Sequence, residues 1–100
     1  MDIDKVLNII KITKHYGIEN QLIKAVEEYS ELIKAVTKYI QKPTIANKMQ
    51  ITEEIADCWI MTGQLVYLLG IDVDVVENTM NEKIERQIRR IDNESDNERD

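Results

Sequence analysis

The sequence predicts an all-α fold: helical hairpins that form a four-helix-bundle-type core, completed by homo-oligomerisation. Three observations predict it. Apolar residues recur every three or four positions in four successive segments. Glycine and proline are scarce, three and one in 100 residues, which disfavours a turn-rich β fold. Three long helices carry apolar rows on more than one face, and such helices need a partner layer.

Ile3, Val6, Leu7 and Ile10 set helix one over about residues 2–15, with Gly17 as its stop. His15, the only histidine, reads as a surface residue at that helix end. Helix two is expected over about residues 19–40. Leu22, Val26, Tyr29, Ile33, Val36 and Ile40 form its continuous apolar stripe. Glu28 lies on its flank in a row with Leu32, Ala35 and Tyr39. Lys24, one turn earlier, is placed to pair with Glu28.

Pro43 disfavours helix at Lys42, and Thr44 can cap the next helix. Helix three is expected over about residues 45–69. Its stripe is Ile51, Ile55, Cys58, Thr62, Leu65 and Leu69, and Glu54 begins a neighbouring row with Cys58, Met61, Leu65 and Leu68. Cys58, Trp59 and Met61 read as core or interface residues. Gly70 ends helix three, and Asp72 caps helix four. Val73, Val76, Met80, Ile84, Ile88 and Ile91 mark the buried side expected of helix four.

Residues 92–100 lack any apolar side chain, so they are expected to form an acidic, disordered tail beyond a domain of residues 1–91. The tail carries −4 of the net charge of −6, leaving the body nearly balanced. Nothing resembles a basic surface for nucleic acid. Cys58 is alone, so no intrachain disulfide can form, which suits a reducing compartment. No apolar run approaches the roughly 20 residues of a membrane span, and no signal-peptide core opens the chain. The expected location is cytoplasmic, without membrane or nucleic-acid partners.

The chemistry concentrates in two acidic pairs. Glu28 and Glu31 are three residues apart on helix two, and Glu54 and Asp57 on helix three. Three residues turn a helix about 300°, so each pair shares a face with Cβ atoms roughly 5–6 Å apart. Like charges that close destabilise a helix unless something cationic compensates them. An antiparallel hairpin would bring both pairs together. Two readings stay open from spacing alone: a metal site, or helices rich in exposed glutamate.

If a metal is held, carboxylates without histidine or thiolate favour a hard ion, Mg²⁺ or Mn²⁺. A di-iron Glu-x-x-His site or a zinc site lacks its ligands. Cys58 has no histidine partner nearby in sequence for nucleophilic catalysis. Lys83 and Arg86 share a face of helix four. They read either as phosphate contacts or as an ordinary solvated cationic face.

EEYSEL followed by EEIAD resembles the paired acidic signature of the MazG-like all-α nucleoside triphosphate pyrophosphohydrolases. Tyr16-Gly17 and Gln21 before the first motif, and Gly70-Ile71 and NEKIER after the second, extend the likeness over about residues 15–91. The resemblance implies Mg²⁺-dependent hydrolysis of nucleoside triphosphates between the α and β phosphates, giving monophosphate and pyrophosphate. It implies Glu28, Glu31, Glu54 and Asp57 as metal ligands and Lys83 and Arg86 as phosphate contacts. It also implies a homodimer or homotetramer. Some relatives have two arginines where this chain has Arg86-Gln87, and Asn81 points away from Lys83. Two alternatives accompany this reading. One is a related enzyme acting on dUTP or phosphoribosyl-ATP. The other is a non-catalytic helical interaction module that retains the signature. Gln21, Tyr29 and Trp59 are candidates for lining a base pocket.

Overall fold

Each helix begins where a side chain can accept its free backbone N–H groups, α2 excepted. The computed structural model describes residues 2–99, with side chains described through residue 95. Asp2 accepts from the Lys5 N–H at 2.9 Å and opens α1, Ile3–Tyr16. Gly17 then both ends α1 and starts α2, Ile18–Gln41. Its backbone, φ 87° and ψ 163°, lies in a region nearly reserved for glycine. Thr44 accepts from the Asn47 N–H at 3.1 Å and opens α3, Ile45–Leu68. The buried Asn47 side chain donates back to the Lys42 carbonyl at 2.9 Å, closing the turn. Asp72 accepts from the Asp74 N–H at 2.9 Å and opens α4, Val73–Arg99.

The three-residue connection 42–44 folds α3 back antiparallel on α2, and these two helices make the main packing contact, with α1 against both. The chain divides into two units, Met1–Gly70 and Ile71–Asp100. The first holds the α1–α3 layer. The second is α4 with its short lead-in, and each of its described side chains is exposed. No described helix is long and apolar enough to cross a membrane.

The four helices and their boundaries agree with the sequence reading, apart from the end of α4, but the core faces agree only in part: Leu22 and Tyr29 of the expected α2 stripe and Ile51, Cys58 and Leu65 of the expected α3 stripe are buried or partly buried. The α2 side chains that are buried or partly buried are Gln21, Leu22, Ala25, Glu28, Tyr29, Leu32, Ala35 and Tyr39. The richer apolar stripe lies outside, with Val26 68% and Ile33 67% exposed. On α3 the inward row is Asn47, Ile51, Glu54, Cys58, Met61 and Leu65, while Thr62 and Leu69 of the expected stripe are exposed. On α1 the buried residues are Ile9 and Thr13, with Ile10 partly buried and Ile3, Val6 and Leu7 exposed. The physical reason is close approach. The small Ala25 and Ala35 are buried on α2, and Gly63 admits Ile9, whose Cδ1 lies 3.2 Å from where a Cβ would stand.

Helix four departs further. Val73, Val76, Met80, Ile84, Ile88 and Ile91 are exposed, not buried. Nor does the helix stop near residue 91: it continues to Arg99, and Asp100 lies outside the described residues. Residues 92–99 contain no glycine or proline to break it.

Candidate functional site

Turning the acidic rows inward assembles a cluster. Oxygens of Glu28, Glu54 and Asp57 all lie within 4.8 Å of one another. Glu28 and Glu54 are partly buried and Asp57 is exposed. Three hard oxygen donors with no thiolate or imidazole in the set suit a hard divalent cation, and the triad could hold one. Without a cation, three carboxylates this close would repel one another.

The neighbours are arranged to soften that repulsion. Lys24 Nζ stands 3.1 Å from Glu28 and 3.9 Å from Glu27. The hydrogen bond to Glu28 raises the Lys24 ammonium above the ordinary lysine value, and the charge of the same carboxylate adds to the effect. Gln50, one turn before Glu54, donates to its carboxylate at 2.8 Å. Sequence reasoning does not find Gln50, although its four-residue spacing to Glu54 is the available signal.

Two contacts fix α2 against α3 at this level. Cys58 Sγ lies 3.5 Å from the Glu28 carbonyl oxygen and donates to it. Burial pushes the Cys58 thiol up, and the charges of Glu28, Glu54 and Asp57 push the same way. The thiol therefore stays protonated at neutral pH and ties the helices together; it is not poised as a nucleophile. Tyr29 and Thr62 join their hydroxyls across the hairpin. Thr62 already donates to the Cys58 carbonyl at 2.8 Å, which makes Tyr29 the donor in that pair.

Glu31, the fourth expected ligand, is not in the cluster. It is exposed and its carboxylate lies 3.8 Å from Lys34 Nζ. Lys83 and Arg86 are exposed on α4, in the second unit. Among the candidates for a base pocket, Gln21 is buried in a cleft beside the cluster. Tyr29 is engaged with Thr62, and Trp59 is 71% exposed, lining a separate hollow between α1 and α3.

The cleft beside the cluster encloses about 490 Å³. Glu28, Asp57 and Lys24 line it, together with Gln21, Met61 and Gln64. A volume of this size suits a small-molecule site. Charged groups and an apolar wall share one space. Gln64 also escapes sequence reasoning; its signal is an amide breaking into the apolar run around Met61 and Leu65.

Family comparison agrees with this geometry. A model of the MazG nucleotide pyrophosphohydrolase domain matches residues 17–91, which covers α2, α3, most of α4 and all three clustered carboxylates. Searches of curated proteins and of solved structures return no match. On the family match, the chain belongs to the MazG nucleotide pyrophosphohydrolase domain family.

Proposed function

We propose that the protein hydrolyses nucleoside triphosphates or their deoxy forms at the α–β phosphate bond, giving monophosphate and pyrophosphate, with Mg²⁺ as cofactor and Mn²⁺ as a substitute. The observation that carries the proposal is the Glu28–Glu54–Asp57 cluster, two of whose members, Glu28 and Asp57, line a cleft of about 490 Å³. These three carboxylates would hold the ion, with Glu31, one turn from Glu28, as the fourth. When bound, Mg²⁺ neutralises phosphate oxygens and lowers the pKa of a water beside it.

The chain's own residues do the rest. Lys24 neutralises Glu28 in the free protein, and its flexible stem lets the ammonium turn to a phosphate oxygen when the carboxylate takes another partner. Gln50 keeps one Glu54 oxygen oriented. Lys83 and Arg86 are assigned phosphate contacts on the family resemblance, with Gln87 standing where some relatives have a second arginine.

The active form is proposed to be a homodimer or homotetramer. The support is the bare apolar surface: Val26, Ile33, Val36 and Ile40 repeat along α2, and six further apolar residues repeat along α4. Exposed rows of this extent mark interaction surfaces in folded proteins.

The test is product analysis. The protein is incubated with canonical and modified NTPs and dNTPs in Mg²⁺, and products are separated chromatographically. The expected result is equal amounts of monophosphate and pyrophosphate from at least one substrate. Diphosphate with inorganic phosphate, or no product from any nucleotide, would overturn the proposal.

A further inference from the structure

We propose that Gln64 reads the nucleobase: its buried amide oxygen accepts a hydrogen bond from an amino or imide N–H on the edge of the base. The inference rests on the proposed triphosphate hydrolysis for the phosphate end of the cleft and adds the base end.

The observation is an unsatisfied group. Gln64 is only 3% exposed, and its Oε1 is buried without a hydrogen-bond partner among the described residues. A buried acceptor left unpaired weakens a fold, and native proteins rarely leave one so without a reason. Leucine or methionine at this position would continue the apolar packing of Met61 and Leu65 at no such cost. The amide is therefore better explained by a ligand than by the core.

Its position fits that ligand. Gln64 lines the same cleft as Glu28, Asp57 and Lys24. It lies seven residues beyond Asp57 on α3, two helical turns or about 10 Å along the axis. Gln21, 5% exposed, lies seven residues before Glu28 on α2. Because the helices are antiparallel, both steps run the same way along the hairpin. The two buried amides thus stand level with each other, at a remove from the carboxylates matching the span from an α-phosphate across a ribose to a base. Ile60 and Met61 line the interval and offer an apolar wall to the base face. An amide carries both acceptor and donor, so it can match the mixed edge of a base.

The test measures binding, not turnover. Calorimetry in Mg²⁺ compares four dNTP analogues with a non-hydrolysable α–β linkage, and tripolyphosphate as a probe without a base. A fifth ligand is an analogue of the tightest binder in which the edge N–H is replaced by hydrogen or methyl. In the wild-type protein this analogue is expected to bind about 10- to 100-fold more weakly than its parent. In Gln64→Met the parent is expected to lose about as much, by a factor well beyond any change for tripolyphosphate. The analogue should then bind that variant about as well as the parent does, because both changes remove the same bond. If the two losses simply multiply, or if the wild-type protein does not distinguish the analogue, the proposal for Gln64 is overturned while the phosphate site stands. If neither nucleotides nor tripolyphosphate bind the wild-type protein, the functional reading itself fails, and this inference fails with it. The analogue arm needs no mutant, so it decides the matter even if Gln64→Met folds poorly.

Discussion

Asp57→Asn is expected to lower pyrophosphate release by more than about 100-fold while leaving helical content unchanged. Even an outer partner of a metal ligand costs about 10- to 100-fold when removed, and Asp57 is proposed to bind the ion itself. The substitution keeps the size of the side chain and removes only its charge. Asp57 is exposed, so the fold should notice little: surface changes of this kind usually fall within about 0.5 kcal/mol. Glu31→Gln is expected to lose turnover as well, because the proposal gives Glu31 the fourth ligand position despite its pairing with Lys34. The readout is initial rate of pyrophosphate formation beside a far-ultraviolet circular dichroism spectrum. Full activity in Asp57→Asn would remove the metal-site assignment.

The second large effect concerns mass. Light scattering at micromolar concentration is expected to give at least twice the chain mass of 11.7 kDa, and Ile33→Lys is expected to shift it toward the single chain. Ile33 is 67% exposed in one chain, so lysine there does not disturb the α2–α3 packing. Burying an isoleucine side chain contributes about 1.5–3 kcal/mol. In a two-fold interface each substitution acts twice, so about 3–6 kcal/mol is lost, enough to raise a dissociation constant by 100-fold or more. A monomeric mass for the unmodified protein would contradict the proposed assembly.

Those exposed rows also explain what can and cannot be read in the sequence. Helix positions follow from apolar periodicity and from capping residues such as Thr44 and Asp72, which are local signals. The inward face is not local. Periodicity chooses the most apolar stripe of α2, Val26 to Ile40, yet the single chain turns Ala25, Glu28 and Ala35 inward. Val26, Ile33, Val36 and Ile40 of the stripe that looks most like a core are exposed, and hydropathy alone does not distinguish a core from a face awaiting a partner. The acidic pairs are legible because two identical spacings on consecutive helices are unusual. Their grouping is only partly so: spacing on one helix places Glu31 beside Glu28, but cross-helix distance selects Glu28, Glu54 and Asp57. Gln64 escapes because one amide in an apolar run has no meaning until the atoms around it are known.

The divalent cation is proposed to sit among carboxylates of one α-helical hairpin, Glu28, Glu54 and Asp57 with Glu31 as the fourth. Thermal unfolding with and without Mg²⁺ tests it most directly, since an ion that binds only the folded chain must stabilise it. At tenfold above its dissociation constant the gain is about 1.4 kcal/mol, which raises the melting temperature by about 5–10 °C for a domain of this size. That rise is expected in the unmodified protein, with reversal by chelator, and is expected to be absent in Glu54→Gln and Asp57→Asn. No rise at millimolar Mg²⁺ or Mn²⁺, or an equal rise in both variants, would contradict it.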